Sequence, residues 1–246
     1  MTVVAPGRVA VIIPVYNHAG GIGAVIAGAR TLGFPLCVVD DGSTDATVTI
    51  LADQKGIPIL RHSENLGKGA ALLTGFAALA DKADWAVTLD ADGQHDPADI
   101  PALIAAIPAG SRPIVIGRRE GMDAGDVPWT SRFGRGFSNF WVRCANGPNL
   151  SDTQSGLRIY PLPEVLGLGV QARRFQFEVE VLVRAAWAGI PMVEAPVRVS
   201  YRPAGKRVSH FRPFVDFCRN SVTFTRLIWL RFFRQLYDVR ECAKVR

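Results

Sequence analysis

The chain lacks any long hydrophobic run. No segment reaches the roughly 18 to 20 uncharged apolar residues that a bilayer-crossing helix requires, because arginines interrupt the apolar C-terminal region too often. Cysteine is scarce, and Cys37, Cys144, Cys218 and Cys242 lie far apart with none of the spacing of a zinc or redox motif. Reduced thiols in a cytoplasmic setting are therefore expected. The N-terminus has no basic start followed by an apolar core and a small-residue cleavage site, so secretion is not expected. Internal repeats, low-complexity tracts and interdomain linkers are absent too. The reading is one body over residues 1–209 and a single appendage over 210–246.

What is present points to a packed protein. With 48% hydrophobic residues over 246 positions, the chain can bury a substantial single core, and disorder is excluded for most of it. The net charge of +6 is unevenly placed. Residues 198–246 hold 12 Lys/Arg against 3 Asp/Glu, a local +9, which leaves 16 against 19, or −3, for residues 1–197. From Phe211 to Tyr237 arginines alternate with aromatics, a mixture suited to peripheral contact with an anionic membrane surface. An amphipathic helix packed on the body with solvated arginines explains the same pattern. Nucleic acid is not expected as a partner, since the body is acidic and carries no recognised binding motif.

Short apolar runs at Val9–Ile13, Leu36–Val39, Ile57–Leu60, Trp85–Leu89 and Ile114–Ile116 alternate with stretches of helical character such as Ile22–Thr31 and Gly69–Ala80. That alternation predicts an α/β fold with a mostly parallel, Rossmann-like sheet flanked by helices, followed by an amphipathic helical tail. Ligands of such sheets bind at the carboxyl ends of the strands. Four polar motifs fall there: Pro14-Val15-Tyr16-Asn17-His18, Asp40-Asp41-Gly42-Ser43-Thr44-Asp45, Asp90-Ala91-Asp92-Gly93-Gln94-His95 and Gly117-Arg118-Arg119. The charged, Gly-rich stretch from Arg119 to about Asp126 reads as a lid.

Asp90 and Asp92, two residues apart at a strand end, can hold a hard divalent ion through oxygen with Gln94 beside them. Coordination positions then remain for a substrate diphosphate. A solvated turn before a helix capped by Asp96, with Pro97 at its first position, is the plainer reading of the same stretch, but it leaves Asp90, Asp92 and Gln94 unexplained. Asp40 or Asp41 can accept from a nucleobase or ribose hydroxyl while Ser43 or Asp45 caps the next helix. Asn65-Leu66-Gly67-Lys68-Gly69 offers a lysine and backbone amides at a helix start, suited to a diphosphate or a base, without the spacing of a Walker sequence. An ATPase is disfavoured.

Taken together, Pro14–Asn17, Val39–Asp45, Asn65–Gly69, Asp90–His95 and Asp152–Arg158 resemble the family 2 glycosyltransferases, nearest to the dolichyl-phosphate mannose synthase and polyprenyl-phosphate glycosyltransferase branch. The resemblance runs in order from about residue 9 to 202. It implies a GT-A fold, Mg²⁺ or Mn²⁺ as cofactor, and inverting transfer of a hexose from a nucleotide diphosphate sugar. By position it implies nucleotide-sugar contacts from Pro14, Tyr16, Asn17, Asp40, Asp41, Lys68, Ala91, Arg119 and Arg202, and metal or diphosphate contacts from Asp90, Asp92 and Gln94. Asp92, Arg119, Arg132 and Asp152 are the residues it places at the chemistry, with Ser155 and Arg158 on the acceptor side. Lys206 and His210 share with Arg202 a segment that closes over the donor in the family. Glu178 stands where the branch has Asp, and His18 replaces an acidic residue, so the base is open.

The acceptor expected from the resemblance is a lipid-linked one, a polyprenyl phosphate, met on the cytoplasmic face of a membrane. A phosphate acceptor is already ionised at neutral pH and needs no strong base. A hydroxyl acceptor in envelope assembly needs one, with Asp152 or Glu178 the candidates. From another class, a nucleotide-sugar-binding module without turnover fits less well, because Asp90, Asp92 and Gln94 are intact. A nucleotidyltransferase would want an arginine-lysine signature near the N-terminus, which is not there.

Overall fold

The computed structural model describes residues 8–120, 129–200 and 213–244. Val9–Val15 forms strand β1, whose side chains are buried on both faces, as expected of a central parallel strand. Helix α1 (Ala19–Arg30), β2 (Leu36–Asp40), α2 (Thr47–Ala52), β3 (Ile59–Arg61), α3 (Lys68–Leu79) and β4 (Trp85–Thr88) follow in strict alternation. The chain continues through α4 (Ile100–Ala105), β5 (Ile114–Arg119), α5 (Trp129–Cys144), β6 (Arg158–Pro161), α6 (Phe177–Trp187), β7 (Met192–Val197) and α7 (Pro213–Lys244). The seven strands lie in the order β3-β2-β1-β4-β6-β5-β7.

The predicted α/β architecture is what forms. β1 is parallel to β2 and β4, and β5 is parallel to β7. The departure from a fully parallel sheet is β6, which runs antiparallel to both β4 and β5. Because β6 enters the sheet from the opposite direction, its leading loop starts at the edge where β4 and β5 end. Its four residues are too few for periodicity to reveal, and neither β6 nor β7 was anticipated from the apolar runs.

One face of the sheet packs on α1 and α4 through residues such as Ile22, Ile26, Ile100 and Leu103. The other packs on α3 and α6 through Leu72, Phe76, Phe177 and Leu182. Gly75 lets α3 lie directly on β1, since a Cβ there would come within 2.7 Å of Ile12 Cγ2. The turn after Asp96 is built as anticipated: Asp96 accepts from the Ala98 amide at 2.9 Å, with Pro97 opening the turn that leads into α4.

A third, smaller core joins α5, α6 and α7, where Phe224 and Leu227 are buried against Val142, Ala145, Val179 and Val183. Helix α7 is further tied down by charge. Glu180, fully buried on α6, receives Arg184 Nε at 2.6 Å and Arg226 of α7, together with the amides of Gln171 and Ala172. The opposite face of α7 stays exposed. Among the described residues no helix is long and apolar enough to cross a membrane.

Removing the Glu180 carboxylate strands two arginines and two backbone amides at once. Glu180→Ala is expected to cost about 3 kcal/mol, read as a shift in the midpoint of a urea titration, whereas Arg184→Ala on the more exposed side costs less.

Candidate active site

The carboxyl ends of β1, β2, β4 and β5 and the leading end of β6 meet along one edge. Each contributes a loop whose backbone is fixed by polar side chains. After β1, Asn17 takes the left-handed conformation (φ 47°) and clips the two first loops together: its Oδ1 accepts from the Thr44 amide at 2.8 Å, and its own amide donates to Ser43 Oγ at 2.9 Å. His18 donates its amide to Thr47 Oγ1 at 2.9 Å. Tyr16 is half-buried at the same edge, beside Pro14 on β1.

The two aspartates after β2 have separate duties. Asp40 is buried, accepts from the Ser43 amide at 2.9 Å and faces Arg61 Nε at 3.4 Å. Asp41 accepts from the amides of Leu66 and Gly67 at 3.0 and 2.8 Å and lies 2.7 Å from His62 Nδ1. It therefore fixes the loop that delivers Lys68. The capping function falls to Asp45, which accepts from the Thr47 amide at 2.9 Å. His62, whose other nitrogen lies 2.9 Å from Thr74 Oγ1, is a positioning partner for Asp41; nothing in its sequence surroundings marks it.

Gly67 (φ +106°) and Gly69 let the start of α3 approach the segment before α6 so closely that a Cβ at either would meet the backbone or side chains of 172–177 at 2.5–2.7 Å. Lys68 projects between them. Its ammonium donates to Asp90 Oδ1 at 2.6 Å and to Glu178 Oε1. Burial works against the lysine's charge, but the two carboxylates outweigh it and hold its pKa above the ordinary value. Burial likewise opposes ionisation of Asp90, and Lys68 overrides it, keeping that carboxyl below its usual range. Glu178 is raised, chiefly by burial.

Asp92 accepts from Gln94 twice, from its backbone amide at 2.9 Å and from its side-chain amide at 2.6 Å. Burial, and then the negative charge of Asp90, push the Asp92 carboxyl above its ordinary value. A carboxylate raised by the negative charge of its neighbour is a fit for a hard cation, and the available donors are oxygens, which suits Mg²⁺ or Mn²⁺. Among the described residues no group of three or more acidic, His or Cys side chains could hold a metal unaided. An ion here depends on outside oxygens to complete its shell, as Mg²⁺ does with substrate phosphates. Ala91 is buried, its carbonyl oxygen against Gly21.

The loop entering β6 closes the site from below. Thr88 Oγ1 donates to the Gly156 carbonyl at 2.8 Å, and a Cβ added at Gly156 would lie 2.0 Å from Asp90 Oδ2. Gly156 is thus required by Asp90, a role that sequence alone did not single out. Arg158 is fully buried and donates to the carbonyls of Ser155, Thr153 and Glu178 at 2.7, 2.9 and 2.8 Å, so it holds this loop to α6. Arg119 makes a two-pronged bond to Asp152, Nε to Oδ2 at 2.7 Å and Nη2 to Oδ1 at 2.9 Å. Glu194 of β7 supports Asp152 by accepting from its amide at 3.1 Å.

Gln94 and His95 pair with the segment after β7, through the Ser200 amide to the Gln94 carbonyl at 2.8 Å and a bridge between His95 and Val199. Burial pushes the His95 imidazole down to about 4, so it is neutral at pH 7. Arg132 lies exposed on α5, and no bond links it to the carboxylate cluster. Arg202, Lys206, His210 and the stretch 121–126 read as a lid lie outside the described residues.

Comparison with known proteins gives a consistent result. Residues 10–165 match the family described as "Glycosyl transferase family 2". The chain is 30% identical over 212 residues to the UDP-N-acetylglucosamine--dolichyl-phosphate N-acetylglucosaminyltransferase of Methanococcus voltae, covering 77% of this chain and 84% of that one. It is 30% identical over 219 residues to the polyprenol monophosphomannose synthase of Mycolicibacterium smegmatis, covering 80% and 79%. Among solved structures, glucosyl-3-phosphoglycerate synthase of M. tuberculosis superposes with a TM-score of 0.66 at 21% identity, over 92% of this chain and 80% of that one, a likeness of fold.

Two outcomes follow from the geometry. Gly156→Ala forces Asp90 aside and is expected to weaken Mn²⁺ affinity about 10- to 100-fold, as loss of a supporting contact does, in a calorimetric titration, run with saturating nucleoside diphosphate, of protein that keeps its native circular dichroism. Burial opposes ionisation of Asp152, but the Arg119 bonds outweigh it and hold its carboxyl low. The stability this pair contributes is complete above about pH 3.9, the unfolded value, and is lost as pH falls through the lower folded value. Asp152→Asn should therefore flatten the acid limb of stability measured by denaturant titration at successive pH.

Proposed function

Since the chain belongs to glycosyl transferase family 2 and is a glycosyltransferase, we propose that it moves a hexose from a nucleoside diphosphate sugar to a lipid-linked acceptor, a polyprenyl phosphate, with inversion at the anomeric carbon. The observation that carries this reading is the cluster of Asp90, Asp92 and Gln94 beside Lys68 at the converging strand ends, which suits a metal-held diphosphate. The relatives named for dolichyl phosphate and polyprenol support the acceptor class, and their different sugars leave the hexose open.

In this reading Asp90, Asp92 and Gln94 hold Mg²⁺ or Mn²⁺, which supplies charge stabilisation for the departing diphosphate. Pro14, Tyr16 and Asn17 border the place for the base, and Asp40 and Asp41 shape it by fixing its loops. Lys68 is aimed at the same point as the two aspartates and shares the charge of the leaving group. Arg119, held by Asp152, is positioned toward the acceptor side, with Arg132 and Arg202 as the further phosphate-facing candidates.

Asp152 bears on the choice of acceptor. With both oxygens engaged by Arg119 and its carboxyl held low, it is a poor proton acceptor. That favours an acceptor already ionised, a phosphate, over a hydroxyl. The exposed faces of α5 and α7 carry Phe133, Phe140, Trp229 and Phe233 among arginines, which supports peripheral contact with an anionic membrane surface on the cytoplasmic side.

Mixing the protein with UDP- or GDP-sugars and polyprenyl phosphate should yield one glycosyl phospholipid, with turnover abolished by chelation and restored by Mn²⁺. Asp92→Ala should cut that rate at least about 100-fold. Transfer that survives chelation, or that requires a hydroxyl lipid, would overturn the reading. On the membrane side, Trp229→Ser with Phe233→Ser should reduce co-flotation with anionic vesicles while leaving the melting temperature in place, since both side chains are more than half exposed.

A further inference from the structure

Lys68 is shared by two carboxylates at the site, and the geometry around Asp90 gives that sharing a consequence. Asp90 has two oxygens. Oδ2 faces the backbone of Gly156, where even a methyl group would come to 2.0 Å. Oδ1 is the oxygen that Lys68 holds, at 2.6 Å. The second carboxylate, Glu178, comes from α6, 110 residues away in sequence, and holds the ammonium from the other side. Lys68 is only 15% exposed, so its stem is fixed and its ammonium has a short range of travel.

The charges bear on this arrangement. Asp90, Asp92 and Glu178 bring three negative charges, while Lys68 and the buried Arg158 bring two positive ones, and the Arg119–Asp152 pair balances itself. The deficit of one is at Asp92, the carboxylate that Lys68 does not touch. A divalent ion added here without an anion would overcompensate, and the Lys68 ammonium competes with a metal ion for Asp90 Oδ1 through like-charge repulsion.

Resting on the donor reading above, we propose that Lys68 is a tethered cation that occupies Oδ1 of Asp90, the oxygen not turned to Gly156, until a nucleoside diphosphate draws it away. Without nucleotide, Lys68 bridges Asp90 and Glu178, and a metal ion finds only Asp92 and Gln94. When a diphosphate arrives, the ammonium has a new anionic partner, Asp90 Oδ1 is released, and the full acidic pair becomes available. Metal and nucleotide therefore bind with positive coupling, and by linkage each tightens the other equally. Glu178 is the counterweight that keeps Lys68 from closing on Asp90 completely.

The test is a calorimetric titration of the full chain with Mn²⁺, alone and with saturating UDP or GDP. Lys68→Met, which keeps the stem and removes the charge, should bind Mn²⁺ about tenfold more tightly than wild type without nucleotide and lose most of the coupling. Glu178→Gln should move the other way, binding Mn²⁺ more weakly than wild type without nucleotide, because Lys68 then leans on Asp90 alone. A merely structural role for the bridge would weaken both variants together.

A folded Lys68→Met that binds Mn²⁺ no better than wild type overturns the proposal. Should that variant not fold, Lys68→Gln replaces it: Mn²⁺ binding equal to or weaker than wild type without nucleotide overturns it. Wild type that binds no Mn²⁺ with either nucleotide removes the donor reading and this inference together. Wild-type binding that nucleotide strengthens, unchanged in Lys68→Met, removes this inference alone.

Discussion

The site depends on how negative charge is tolerated at the end of a parallel sheet. Asp90 follows a strand buried on both faces, where an unpaired carboxylate costs several kcal/mol, and Lys68 is the partner that makes it possible. Everything near it serves that ion pair. Gly67 and Gly69 let α3 approach the segment before α6, Asp41 pins the loop that precedes Lys68, and Gly156 leaves just enough room for the Asp90 carboxylate. The glycines are needed for approach rather than flexibility, since at these three positions a side chain would collide with backbone or with the carboxylate itself.

The antiparallel strand β6 is the structural device that completes the site. In a fully parallel sheet, the neighbour of β4 would end at the site edge, as β4 does. By running the other way, β6 begins there, and the loop before it brings Asp152, Gly156 and Arg158 under the strand ends. Arg158 then ties that loop to α6, the helix that carries Glu178 and Glu180. Helix α6 is thus held on one side by the site and on the other by α7. Glu178 faces Lys68, and Glu180, two residues on, faces Arg226. Two buried acids on one helix join the strand-end site to the C-terminal helix, and so link α7 to the loop that positions Lys68.

Some of this was legible in the sequence. The apolar runs of β1, β2, β4 and β5 fall where they were expected, and so does the Asp96 turn, because burial on both faces and a capping aspartate leave local signals. Sequence also placed Asp90 and Asp92 directly after a buried strand, where the structure has Lys68 on Asp90 and Gln94 on Asp92. Less legible were the duties of Asp40 and Asp41. The turn chemistry pointed to Ser43 or Asp45 as a cap, and Asp45 does accept from the Thr47 amide, but it did not show that Asp40 and Asp41 also fix the loops around them. Arg132 and Arg119 look alike as sequence, yet one is exposed on α5 and the other is clamped by a buried aspartate.

The sequence by itself determined the alternation of β1 to β5 with helices and which of their loops are polar, because hydrophobic periodicity and turn chemistry act over a few residues. Only the tertiary structure decided that β6 is antiparallel, that Gly156 sits against Asp90, and that Lys68 is shared with Glu178. Those facts rest on packing between segments distant in the chain. An ion pair between residues 68 and 178 leaves no trace in the neighbourhood of either, and exists only because two glycines let the backbones come close enough for it to form.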